Sequence, residues 1–275
     1  MKRIYDWDAR PQTRNFTVAD LRALKGVRKL VQTTANSTEE AAAAADAGIH
    51  LIMGDAQNTT AVRAGAPQLF FTAALGLPDY PTEHAVLTAA FKAMKDGADS
   101  VYTARGPHIV EFLAREDIPV MCHLGLVPRK STWRGGLRAV GKTADEAMEL
   151  WRDFRRMEDA GAFSVEAEVI CAPVMAEITK RTSLVTSSLG SGPDADIIYL
   201  FQNDICGEQP TSPRHARAFG NLNALNEKIR QERLRALLAF KESVMSASYP
   251  SPDEQATLSD VELREFARRM VSEQS

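Results

Sequence analysis

Three stretches of the chain share one grammar: AAAAADAGIHLIMGDA, AFKAMKDGADSVYTA and DFRRMEDAGAFSVEAE. Each passes from a helix ending in an acid, through a glycine turn, into a short run of apolar or β-branched residues. Gly48, Gly97 and Gly161 sit at helix C-terminal positions, where glycine adopts a left-handed turn at little cost. A strand opens a residue or two later, the short connection that α/β units favour. A chain that repeats helix, turn and strand in this way builds a parallel sheet.

Further units fill the gaps. Strands are predicted at 28–34, 50–54, 68–74, 99–103, 118–122, 163–169, 184–188 and 197–201. Helices are predicted at 37–47, 59–64, 82–96, 107–116, 143–160 and 173–181. Helix 143–160 has a defined start, with Thr143 as N-cap and Glu146 at capping-box spacing. Seven or eight such units point to a closed (β/α)8 TIM barrel with extra C-terminal helices. A doubly wound open sheet is the alternative, and its Gly-x-Gly-x-x-Gly fingerprint is missing. Past the polar loop GEQPTSPRHARAFGNL, a strong helical period spans 222–247 and a last helix spans 258–272. The expected organisation is a single barrel domain over 1–275, with 212–275 as a helical extension. These last helices either close the barrel or pack on a neighbouring subunit.

Composition narrows the setting. Among 275 residues, 44% are hydrophobic and 25% charged, enough for a full core. The net charge of −3 gives no reason to expect nucleic acid or an anionic membrane as partner. No apolar run has the length of a membrane span, and MKRIYDWDAR lacks the apolar stretch of a secretory leader. Cys122, Cys171 and Cys206 are widely spaced and odd in number, which reads as reduced thiols in a cytoplasmic protein.

Barrel chemistry sits where strands end and the following loops begin. Those positions hold Asp55, His123, the pair Glu166 and Glu168, and the small-residue loop SSLGSGPDAD. Asp55 is either a helix N-cap or a site residue. His123 is either a satisfied structural side chain or a site residue. Ser188, Gly190 and Ser191 form either a plain turn or a cradle of N–H groups for an anion. Glu166 and Glu168 share one strand face, and carboxylates inside a parallel sheet need a partner or a polar cavity.

At these residues the chain resembles the ketopantoate hydroxymethyltransferase (3-methyl-2-oxobutanoate hydroxymethyltransferase) family of the phosphoenolpyruvate mutase/isocitrate lyase superfamily. LIMGDA is similar to its apolar-Gly-Asp-Ser strand end, and AVRAGAP to its Ala-Val-Arg-Arg-Gly-Ala-Pro. IPVMCHLGLVPR, the most specific match, resembles Pro-Val-x-Gly-His-Leu-Gly-Leu-x-Pro-Gln. WRGGLRAVGK, MEDAGAFSVEAEVICAPVMAEIT, SSLGSGPDAD and SASYPSP follow in family order.

The resemblance implies a homo-oligomeric barrel that transfers a hydroxymethyl group to a small 2-oxoacid, with Mg²⁺ and methylenetetrahydrofolate. It makes Glu168 the general base and His123 a hydrogen-bond partner of the substrate. Asp55 becomes a metal or substrate ligand, and Ala56, Tyr102, Ser188, Gly190 and Ser191 flank the substrate. Several positions depart from the pattern. The family's metal-binding aspartate falls near Ala73, its Lys-x-Glu pair on Tyr102 and Ala104, its serine on Ala56, and its first-strand aspartate on Asn36. Three functions therefore stand side by side: the aldol-type family reaction, a lyase or hydrolase needing little or no metal, and a non-catalytic binder of a small acid.

Overall fold

The computed structural model describes residues 1–273. The chain forms two compact units, one over Met1–Gly220 and a second beginning at Asn221. In the first, a hairpin of β1 (Lys2–Tyr5) and β2 (Pro11–Arg14) leads through α1 (Val18–Ala23) into the barrel. The barrel strands are β3 (Leu30–Thr34), β4 (Leu51–Asp55), β5 (Phe70–Ala74), β6 (Ser100–Thr103), β7 (Val120–Gly125), β8 (Ser164–Glu168), β9 (Val185–Leu189) and β10 (Ile197–Tyr199). They close in that order, β10 pairing back on β3, and every pair is parallel. The eight predicted strands are all present, and the sheet is closed rather than open.

Helices α2 (Thr38–Asp46), α3 (Thr59–Gly65), α4 (Glu83–Lys95), α5 (Pro107–Ala114), α6 (Ala144–Asp159) and α7 (Ala172–Thr179) follow β3 to β8 in turn. Caps explain their starts: the side chains of Ser37, Thr82 and Thr143 each accept a backbone N–H of the first turn. Between β9 and β10 the chain crosses directly, and only the short α8 (Gln202–Cys206) follows β10. Outward-facing Val31 and Ile198, partners across the β3–β10 seam, consequently remain exposed.

Strand alternation splits the apolar residues into two cores. Ile52, Phe71, Val101, Val120, Cys122 and Val165 face the helices. Leu30, Leu51, Phe70, Met121, Val185 and Ile197 fill the barrel interior. Above this interior plug lie the polar side chains that make the site.

Sequence reasoning missed the β1–β2 hairpin, α1 and α8. The hairpin strands are four residues each, mostly exposed, and show no apolar alternation. The second unit comprises α9 (Leu222–Met245) and α10 (Asp260–Glu273), close to the predicted spans. Neither helix contains a buried residue, and Leu225, Ile229, Leu234, Leu237 and Phe240 on α9 are all exposed. Among the described residues, no helix is long and apolar enough to cross a membrane.

One carboxylate fastens the seam where the barrel closes. Asp196 accepts hydrogen bonds from the Thr186 N–H (2.9 Å) and hydroxyl (2.8 Å), the Gly26 N–H (2.9 Å) and Lys25 Nζ (3.0 Å). Burial pushes its pKa up, but these donors outweigh burial and hold it below the usual aspartate range. Its contribution is therefore present above the ordinary aspartate pKa and lost as pH falls through the lowered value. Asp196→Ala is expected to lower stability at pH 7 by about 1.5–3 kcal/mol, the worth of bonds to a charged group. In urea unfolding, the gap between the two proteins should shrink as the medium is acidified below that range.

Candidate active site

A polar cavity of about 550 Å³ opens at the C-terminal ends of the strands. Thr34, Met53, Asp55, Ala74, Tyr102, His123, Glu166, Glu168 and Tyr199 reach it from seven barrel strands. Arg129, Phe201, Gln202, Asn203 and Glu208 line it from loops and α8. Close backbone approach fixes two glycines at the strand ends around it. A side chain on Gly54 would meet the Ala35 carbonyl at 2.1 Å, and one on Gly125 (φ +95°) would meet the Glu168 carbonyl at 2.3 Å.

His123 is the hub. It pairs with Glu166 across β7 and β8, and the two carboxylates project to the same side as the imidazole. Nε2 lies 3.0 Å from the Leu126 carbonyl and 3.1 Å from Glu168 Oε2. Both are acceptors, so Nε2 carries a proton. Nδ1 lies 2.5 Å from the Tyr102 hydroxyl and 3.6 Å from Glu166 Oε1. Burial alone would lower the His123 pKa; the Glu166 charge, then the bond to Glu168, reverse this and raise it. Glu166 is pushed up to about 7, chiefly by burial, with His123 pulling it down and Glu168 pushing it up. The Tyr102 hydroxyl is raised well above its ordinary pKa by burial and by the Glu166 charge, so it stays protonated. The cluster is thus an imidazole whose protonated form is favoured by its neighbours, set between two carboxyl groups, one of them pushed up to about 7, with a phenol attached.

Backbone bonds hold Glu168 in place. Its carbonyl accepts the Leu126 N–H at 2.8 Å, and the next residue, Val169, sits at φ +49°. That region is strained for a β-branched residue, by about 1–3 kcal/mol. The Ser191 hydroxyl clamps the segment, donating to the Ala167 carbonyl (2.7 Å) and accepting the Ile170 N–H (2.8 Å).

This clamp corrects the reading of the small-residue loop. Ser188, Gly190 and Ser191 do not line the cavity. Ser188 has the outward parity of β9; its hydroxyl donates to the Gly192 carbonyl (2.8 Å) and accepts the Ser191 N–H (3.0 Å). Gly190 packs against His215. The loop braces the end of β8 and is no open anion cradle. Ala56 also lies off the cavity, buried in the helix-facing core. Ala73 faces that core too, and it is Ala74, the partner of Asp55, that faces the cavity. Either way an alanine stands at the position of the second acid.

Asp55, Tyr102, His123 and Glu168 line the cavity. Glu166, named only as the strand companion of Glu168, is a full member, and its two-residue spacing was the signal. Arg129 and the residues after β10 were missed, because a loop gives no period that points inward.

Mg²⁺ takes a shell of oxygens. Asp55 supplies an exposed carboxylate, while Ala74 and Ala104 beside it supply no side-chain oxygen. His123, Glu166 and Glu168 present ligand atoms within 4.8 Å of one another, near enough to share an ion. That mixed nitrogen and oxygen set suits transition metals better than Mg²⁺. Its imidazole, moreover, is already engaged at both nitrogens. The residues present do not fit the Mg²⁺ centre that the resemblance implies.

Residues 53–252 match the model of a protein family described as ketopantoate hydroxymethyltransferase. The chain is 33% identical over 264 residues to the 3-methyl-2-oxobutanoate hydroxymethyltransferase of Thermotoga neapolitana, covering 86% of this chain and 95% of that protein. It is 32% identical over 267 residues to the Pyrococcus furiosus protein of the same name, covering 87% and 91%. Among solved structures, a phosphonopyruvate hydrolase in complex with oxalate and Mg²⁺ is similar at a TM-score of 0.53 and 14% identity, covering 94% of this chain and 98% of that one. A phosphonomutase-like protein of Burkholderia cenocepacia gives a TM-score of 0.52 at 12% identity, covering 82% and 99%. At these identities the structural likeness speaks for the fold.

Proposed function

Because the chain belongs to the ketopantoate hydroxymethyltransferase family, we propose that it makes or breaks a C–C bond next to the carbonyl of a small 2-oxoacid, by aldol-type hydroxymethyl transfer. The observation that carries this reading is the buried Tyr102–His123–Glu166–Glu168 cluster at the barrel mouth. Such chemistry starts by removing a proton from the carbon beside the carbonyl. Glu168, nearest the strand end, is the base that takes it. His123 fixes that carboxylate and offsets its charge. Among the described residues, Arg129 is the one guanidinium or ammonium lining the cavity, and it meets the oxoacid carboxylate. Asp55 binds the substrate from the opposite wall. On α8 and the residues flanking it, Phe201, Asn203 and Glu208 offer an aromatic face, an amide and a carboxylate. These residues would hold methylenetetrahydrofolate, which supplies a one-carbon unit at the oxidation level of formaldehyde.

The apolar residues exposed along α9 support a homo-oligomer, since patches of this kind mark association surfaces. Three free thiols support a reducing, cytoplasmic setting. The test is proton exchange: incubated in D₂O with 3-methyl-2-oxobutanoate, the protein should exchange the C3 hydrogen for deuterium, followed by NMR. Binding of the oxoacid with no exchange, with or without a one-carbon donor, would leave the non-catalytic reading in its place.

A further inference from the structure

The alanines at positions 74 and 104 leave a chemical gap. An enolate formed from a 2-oxoacid puts negative charge on the carbonyl oxygen, and something must stabilise that charge. Among the described residues that line the cavity around β5 and β6, Tyr102 is the side chain that carries a polar hydrogen. Tyr102 stands there between Ala74, its partner on β5, and Met121, its partner on β7. Its ring faces the cavity, and its hydroxyl is backed by His123.

We propose that Tyr102 is a catalytic residue: its hydroxyl donates a hydrogen bond to the carbonyl oxygen of the 2-oxoacid as that oxygen becomes an enolate, in the role that a divalent ion would otherwise fill. This rests on the 2-oxoacid reading of the site. The orientation of His123 supplies the argument. With Nε2 committed to Leu126 and Glu168, only Nδ1 faces Tyr102. In the imidazolium, Nδ1–H has two acceptors within reach, the Tyr102 oxygen at 2.5 Å and Glu166 at 3.6 Å, and the nearer takes it. The phenol then accepts from His123, so its own hydrogen turns away from the imidazole, toward the cavity. Accepting from a cation also makes that hydrogen a stronger donor. The step balances within the site. Glu168 gains the C3 proton, the C–H electron pair becomes the C2–C3 double bond, and the carbonyl π pair moves to the oxygen facing Tyr102.

Oxalate tests this, because its coplanar oxygens mimic the enolate of a 2-oxoacid. Calorimetry with chelator-treated protein should show oxalate binding without added Mg²⁺. Tyr102→Phe keeps the ring and its packing, and should weaken that binding on the order of 10–100-fold, as for loss of one bond to a charged group. In the exchange reaction the same variant should lose about 10²–10³-fold in kcat with little change in KM. Oxalate that binds only after Mg²⁺ is added, or that binds Tyr102→Phe as tightly as the parent protein, would overturn the proposal and leave the oxoacid reading standing. Failure to bind oxalate or the oxoacid under either condition would overturn both.

Discussion

Glu168→Gln is expected to slow deuterium exchange into the oxoacid about 10²–10⁴-fold, the usual worth of a positioned base. Glutamine keeps the shape and can still accept the His123 Nε2 proton, so the oxoacid should bind nearly as before. The neighbouring carboxylate gives the control. Glu166 titrates at about 7, mainly because it is buried. Glu166→Gln leaves the base in place but removes that group. The inflection near neutrality in the pH dependence of kcat/KM should then disappear, with a smaller loss at the optimum. It also removes the largest influence raising the His123 pKa, so the imidazolium should give up its proton at lower pH. Full exchange activity in Glu168→Gln would end the assignment of the base. A loss in Glu166→Gln as deep as in Glu168→Gln would shift the assignment to Glu166.

The largest expected effect on stability lies at the other end of the barrel. Asp99, just before β6, accepts from Arg14 Nε (2.8 Å) and the Phe71 N–H (2.9 Å), and it pairs with Arg63 Nη2. Both guanidiniums also donate to backbone carbonyls, Arg14 to Pro67 and Arg63 to Leu69. Arg14 is only 2% exposed. Asp99→Ala therefore leaves a buried Arg14 and a partly buried Arg63 facing each other without their shared counter-charge. Removing one partner of a buried ion pair typically costs about 3–5 kcal/mol. For a unit of this size that lowers Tm by on the order of 10 °C. Because Arg14 ends β2, the hairpin should loosen from the barrel first, seen as faster amide exchange across β1 and β2. Thermal melting by circular dichroism checks the first part. A melting point within a degree or two of the parent would show that the cluster is not the fastening that its burial implies.

The two sites differ in how far the sequence could reveal them. Repetition of helix, glycine turn and apolar run was enough to determine a parallel (β/α) fold. That signal is local, since strand alternation and helix caps act over a few residues. His123 and Glu168 were legible for the same reason: in a barrel, the end of a strand is also the edge of the cavity. Parity decided what local reading could not. Ser188 and Ala73 lie one position out of phase with the interior, so their side chains face helices or their own loop. The loop that could be read as a turn or an anion cradle clamps the backbone around Glu168 and Val169 through Ser191. Tertiary structure alone joins Arg14 to Asp99, 85 residues apart, and Tyr102 to His123, 21 apart. Those bonds depend on which strands pair and on how the hairpin packs, which bring side chains with no common sequence period within a few ångströms. The sequence determined which residues stand at the mouth of the barrel. Strand pairing and register decided which of them touch, and through those contacts their charges and proton positions.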